Sequence, residues 1–268
     1  MQMNSGIDPD ANATVIVDGA RRAADKGAAI LFTPEMCGLL DQDRRRAAGN
    51  VVAEERNHVL STVRHTARDA GIWIVLGSLA VKGEGQRWAN RTFVIDDQGQ
   101  VVARYDKIHM FEAALDNGER WSEASAYQPG ERVVTAETPA GRLGLSICYD
   151  VRFPALYDAL GRRECDMIAI PSAFTRPTGR DHWHVLQRAR AIESSCYVVS
   201  AAQAGEHEDG RATFGHSMVV DPWGEIILDM GGEETGLGFA EIDPDAILRA
   251  RRQVPSLANR RGTPTFPA

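Results

Sequence analysis

Three side chains of this sequence stand where reactive chemistry could be done. Cys148 closes the apolar run 143–148 and is followed by Tyr149-Asp150-Val151-Arg152-Phe153-Pro154 and a helical pattern. A thiol at a strand-to-helix turn faces unpaired backbone N–H groups, which favour thiolate and can hold a developing oxyanion. The competing reading is a buried, inert core thiol, the commonest fate of a free cysteine. Lys107, in Arg104-Tyr105-Asp106-Lys107-Ile108-His109-Met110-Phe111, is one of 3 lysines against 27 arginines. An ammonium among apolar neighbours is costly to bury unless a carboxylate pairs with it, and it could then act as a point charge beside a reacting carbonyl oxygen. A solvated charge at a strand end is the alternative. Glu35 follows Leu31-Phe32-Thr33-Pro34, at the carboxyl end of a predicted strand. Sites in open α/β sheets collect there, and a partly desolvated carboxylate can serve as a general base. A loop carboxylate in water is the competing reading. Glu123, in Trp121-Ser122-Glu123-Ala124-Ser125, carries no signal by itself.

Other motifs point away from metal and nucleotide chemistry. His182-Trp183-His184 is an HxH pair, but a zinc site needs three or four ligands, and i and i+2 diverge on a helix. With no partner set at a recognisable spacing, no metal is expected. No GxGxxG, GxxxxGK[ST] or GxSxG stretch occurs, so no nucleotide or flavin is expected either.

The elements that must position these groups can be read from apolar runs. Strands are predicted at 28–32, 72–77, 143–148, 167–170 and 196–200, each apolar enough to be covered on both faces. Helices are predicted at 12–26, 51–70, 155–161 and 182–194, with Val59, Val63 and Ala67 sharing one face. Residues 92–103 and 216–227 read as hairpins, the second turning at Pro222 and Gly224. The pattern predicts an α/β fold with a mixed sheet and outer helices. No linker divides the 268 residues, so one domain, 1–268, is expected. Its Arg- and Pro-rich arm, about 249–268, is expected to cross the domain or a second subunit.

Composition narrows the function. The net charge of −7 excludes a phosphate-coating protein, so no nucleic acid is expected. The longest apolar stretch, 72–81, is half the roughly 20 residues of a membrane span. Four cysteines without a CxxC pair, and an amino terminus without a signal-peptide pattern, point to a reducing cytoplasm.

In order and spacing, the fragments around Glu35, Lys107 and Cys148 resemble the Glu, Lys and Cys signatures of the nitrilase (carbon–nitrogen hydrolase) superfamily. Lys107 precedes Cys148 by 41 residues, and Glu123 follows Lys107 by 16, where the family often has a second glutamate. Residues 171–175, Thr178-Gly179, His182-Trp183, 188–193 and 215–224 resemble the deaminated-glutathione amidase branch within it. The resemblance implies a four-layer α-β-β-α sandwich of the nitrilase type, commonly paired as a homodimer or higher homo-oligomer. It implies a cofactor-free amidase whose small-molecule amide substrate is deaminated glutathione, split through a thioester into 2-oxoglutarate and cysteinylglycine. Cys148 is then the nucleophile, Glu35 the proton carrier, and Lys107 with the Tyr149 backbone N–H the oxyanion holder. Glu123 orients Lys107 or the substrate. Arg152, Phe174, Thr175 and His182 are candidate substrate contacts; Arg176 and Arg180 are further candidate cations, more readily explained as surface arginines. An omega-amidase, an N-carbamoyl amino acid hydrolase and a true nitrilase share the same trio, and a non-catalytic partner-binding module is the alternative from another class. Two departures stand out: Met1-Gln2-Met3 replaces several apolar residues of a first strand, which is either short or cut off, and Asp181 replaces a small residue before His182-Trp183.

Overall fold

The computed structural model describes residues 1–83, 85, 87–114, 118 and 120–262. In chain order the elements begin with α1 (Pro9–Asp25), β1 (Ile30–Phe32), α2 (Arg44–Ala47), α3 (His58–Ala70), β2 (Trp73–Lys82), β3 (Trp88–Ile95) and β4 (Val101–Asp106). There follow β5 (Glu112–Ala114), β6 (Arg120–Ser122), β7 (Thr135–Thr138), β8 (Gly141–Leu145), α4 (Pro154–Gly161), β9 (Met167–Ala169) and α5 (Arg176–Ser194). The last are β10 (Tyr197–Ser200), β11 (Ala204–Glu206), β12 (Ala212–Phe214), β13 (Met218–Val220), β14 (Ile226–Asp229) and α6 (Pro244–Gln253).

Two mixed sheets carry the fold, in the orders β1-β2-β3-β4 and β14-β13-β10-β9-β8-β7. Strand alternation assigns each side chain to a layer. Ile74, Leu76, Phe93 and Ile95 pack with Ile16 and Ala20 of α1 and Val59, Val63 and Ala67 of α3. The residues between them, Val75 and Val94, turn the other way and join Leu143, Leu145 and Ile168 of the six-stranded sheet. Leu156 and Leu160 of α4 and Trp183 and Ala191 of α5 extend that core. The layers therefore run α-β-β-α, as the predicted sandwich requires.

Several boundaries differ from the pattern of the sequence, each for a local reason. The helix expected over 51–70 begins only at His58, because the Asn57 side chain accepts from Leu60 N–H and caps it there. α1 and α5 begin earlier than expected, each with a proline in its first turn, where a missing N–H costs nothing. β8 ends at Leu145 rather than at the cysteine, because the Asp150 carboxylate takes Ile147 N–H at 2.9 Å and bends the chain. The first part of the expected arm is helix α6. Beyond it, Arg260 donates to the Asp158 and Glu193 carbonyls, both at 2.9 Å, so the tail up to residue 262 lies over the ends of α4 and α5. Residues 263–268 lie outside the described residues.

Gly77 marks a close crossing. It sits where the β2–β3 register shifts, between Leu76 and Leu79. A Cβ there would strike the Thr33 carbonyl oxygen and the Pro34 backbone. Thr33 Oγ1 instead accepts Gly77 N–H at 2.9 Å, tying β2 directly beneath the turn that leads to Glu35.

Candidate active site

The turns after β1, β4, β8 and β9 meet at one end of the two sheets, the end where α/β folds gather their reactive groups. Glu35 leaves β1, Lys107 follows β4, Cys148 follows β8 and Ala173 follows β9. Lys107 Nζ donates to Glu35 Oε1 at 2.9 Å and to Glu123 Oε2 at 2.8 Å, and its side chain is only 2 % exposed. Burial opposes the ammonium, but Glu123 and Glu35 outweigh it and hold the lysine pKa well above its ordinary value. The second oxygen of Glu35 accepts Ala173 N–H at 2.9 Å, and Phe111 N–H donates to Glu123 Oε2 at 2.8 Å. Asn90, buried in β3, joins the two acids by donating to Glu35 Oε1 at 2.9 Å and Glu123 Oε1 at 3.0 Å.

Cys148 opens a short 3₁₀ turn (Cys148–Arg152) with φ of 48°, a left-handed conformation that a side chain rarely adopts. Asp150 locks the turn. Its carboxylate accepts Ile147 N–H, Tyr105 O–H at 2.7 Å, His109 N–H at 3.0 Å and a contact from His109 Nδ1 at 2.7 Å. One buried acid thus binds the cysteine turn to both flanks of Lys107. His109 in turn stacks on Phe153 with ring centroids 3.6 Å apart. Glu35, Lys107, Glu123, Cys148 and Tyr149 all line one cavity of about 430 Å³.

The surroundings of the Cys148 thiol pull its pKa in opposite directions. Burial, with the Glu35 carboxylate beside it, pushes the thiol well above its ordinary range; Lys107 and the Ala173 N–H pull the other way and lose. The backbone donor acting on the thiol is Ala173 N–H, from the turn after β9, and burial outweighs it. A buried thiol beside a carboxylate is a pair chemically suited to proton transfer.

Residues 1–252 match the family model described as carbon–nitrogen hydrolase. The chain belongs to the carbon–nitrogen hydrolase family. It is 40% identical to a deaminated glutathione amidase of Synechocystis, over 89% of this chain and 88% of that protein. The crystal structure of the Caenorhabditis elegans NitFhit protein superposes with a TM-score of 0.89 at 36% identity, covering 97% of this chain and 63% of that longer one. Saccharomyces cerevisiae Nit3, a member of branch 10 of the nitrilase superfamily, gives a TM-score of 0.84 at 28% identity, covering 95% of this chain and 92% of that one.

In this hydrolase the remaining predicted contacts separate. Arg152, Phe174 and Thr175 line the same cavity. The Arg152 guanidinium lies 5.0 Å from the Phe174 ring centroid and 6.0 Å from that of Tyr149. Burial holds its pKa below that of an ordinary arginine, and among the described residues no carboxylate pairs with it. His182 stands outside the wall: it is exposed, and its Nδ1 meets Arg152 Nη1 at 3.1 Å. Arg176 is engaged by Glu233 at 3.1 Å, and exposed Arg180 lies 3.8 Å from Asp181. The two histidines of the HxH pair do diverge, as their spacing requires. His184, however, reaches Asp229, which also meets His216. Those partners lie 45 and 32 positions downstream, too far for a spacing rule to announce them.

Sequence reading missed Asn90, Asp150 and three further cavity arginines, Arg44, Arg120 and Arg211. The one available signal was Asn90, a strand-averse residue inside a strand.

Proposed function

We propose that this hydrolase is a cysteine-dependent amidase acting on the side-chain amide of a 2-oxo acid, with deaminated glutathione as substrate and 2-oxoglutarate and cysteinylglycine as products. The observation that carries the chemistry is the Lys107 ammonium, held between Glu35 at 2.9 Å and Glu123 at 2.8 Å on the wall that also holds Cys148. As the Cys148 sulfur attacks the amide carbon, its proton passes to Glu35. The oxyanion is held by Lys107 and the Tyr149 backbone N–H. Glu35 then gives that proton to the departing amine, leaving a thioester. Next it takes a proton from water, which attacks the thioester, and hands that proton to the departing Cys148 sulfur, restoring the thiol and the carboxylate. One carboxylate serves as base and then acid in each half of the reaction. Glu123 and Asn90 are positioning residues, keeping Lys107 and Glu35 in register.

The substrate class rests on the relatives' names and on the charge of the wall. A tripeptide-like 2-oxo acid carries carboxylates, and Arg44, Arg120, Arg152 and Arg211 line the cavity despite the chain's net charge of −7. Arg152 is the cation best suited to meet one of them.

We also read the chain as one hydrolase domain over 1–268 that works in the cytoplasm as a homodimer or higher homo-oligomer. Four free cysteines agree with a reducing compartment, and exposed Val185 and Ile192 on α5 with Leu248 on α6 offer apolar surface for pairing. No helix among the described residues is long and apolar enough to cross a membrane. The deciding experiment compares kcat/KM for deaminated glutathione, 2-oxoglutaramate, an N-carbamoyl amino acid and a simple nitrile. Deaminated glutathione is expected to lead; a lead for either of the last two overturns the assignment.

A further inference from the structure

His184, His216 and Asp229 form a second cluster, apart from the cavity of Cys148. They come from three places in the fold: the middle of α5, the turn before β13 and the end of β14. His184 Nε2 lies 2.9 Å from Asp229 Oδ2, and His216 Nδ1 lies 2.9 Å from Asp229 Oδ1. One ligand atom from each residue can be chosen so that all lie within 4.8 Å of one another. Ligands on a tetrahedral zinc ion, with bonds of about 2.0–2.2 Å, stand roughly 3.3–3.5 Å apart. The three donor atoms thus already stand near the spacing that such an ion sets.

The surroundings hold these donors in place. Gly231 N–H donates to Asp229 Oδ1 at 2.9 Å, which orients the carboxylate. Phe214 stacks on the His216 ring at 4.4 Å, and the His184 ring meets His216 edge-on at 4.9 Å. Trp183 Nε1 donates to the His216 carbonyl at 2.9 Å and secures a backbone whose φ is 56°. These contacts restrict the Asp229 carboxylate and the His216 ring and backbone to the positions described. All three side chains are partly exposed, at 33%, 24% and 29%, so an ion can arrive from solvent and water can fill its remaining position.

We propose that His184, His216 and Asp229 bind one divalent transition-metal ion of the zinc class and thereby clamp α5 to the β13–β14 hairpin. Two imidazole nitrogens and one carboxylate oxygen suit zinc better than magnesium or calcium, which prefer all-oxygen shells. Without the ion, each imidazole can give its N–H to Asp229. With it, the same nitrogens offer lone pairs and the ring protons move to His184 Nδ1 and His216 Nε2. The site needs no part of the amidase chemistry; it braces the helix whose first turn carries Thr178 on the cavity wall.

Zinc chloride titrated calorimetrically into the full chain tests this. Wild type and Cys148→Ser should each take up one zinc ion with equal affinity. His184→Ala and Asp229→Asn should bind it more than about tenfold more weakly. Thermal unfolding midpoints should rise with zinc in wild type and Cys148→Ser but not in His184→Ala. His184 is partly exposed on a helix, where alanine is favourable, so this variant should fold. Absence of stoichiometric uptake by wild type overturns the site, as does wild-type affinity in His184→Ala. Uptake that vanishes in Cys148→Ser instead assigns the ion to the thiol and likewise overturns it.

Discussion

Cys148 and Cys196 are both buried thiols, and burial drives both well above the ordinary thiol value of 9.0. Their surroundings differ. Cys196 is 0% exposed and sits just before β10, with the Cys165 thiol as the main electrostatic influence on it after burial. Cys148 keeps 7% exposure on a cavity and has Glu35 and Lys107 as its electrostatic neighbours. Burial raises a thiol wherever it occurs; an adjacent acid that can take the proton, and a cation that can hold the resulting charge, are what make one of them a candidate nucleophile.

The contrast can be broken at several strengths. Cys148→Ala should lower turnover by more than about 10⁴-fold while the protein stays folded, read by steady-state assay and circular dichroism. Retained turnover there would remove the nucleophile. Glu35→Gln and Lys107→Arg should each lower kcat about 100-fold or more, since an amide cannot carry the proton and a planar guanidinium cannot stand in for a point charge. Asn90→Ala should lower kcat more than it raises KM; a change in KM alone would make Asn90 a substrate contact. Its cost in stability should be about 1–3 kcal/mol, because buried carboxylate oxygens lose a donor. Alkylation by iodoacetamide in the resting protein should keep rising with pH past 9.0, because the raised thiol ionises late; a plateau near neutrality would mean that Lys107 wins over burial. The smallest effect belongs to Cys196→Ala, expected to cost about 1 kcal/mol in unfolding free energy and to leave kcat alone.

Much of this architecture is legible in the chain. The buried runs around residues 72–77 and 167–170 announce covered strands because both faces must be apolar there. Glu35, Lys107 and Cys148 stand out because their motifs are local and ordered. Asn90 and Asp150 do not, since each works by joining turns that are distant in sequence: Asn90 touches Glu35 and Glu123, and Asp150 touches Tyr105 and His109. The upward push on the Cys148 thiol is equally hidden, because the depth of a turn is a property of the assembled layers. Capping by Asn57 and bending by Asp150 moved element ends for the same reason: one side chain outbid the apolar pattern.

The hydrogen atom that serves as the side chain of Gly77 has a reach well beyond its own strand. Enlarging it to a methyl group would wedge β2 away from Thr33 and Pro34, carrying the proton acceptor out of line with the sulfur. A variant altered at that remote position should bind substrate yet hydrolyse it slowly, a lesion in alignment produced without replacing any reacting group.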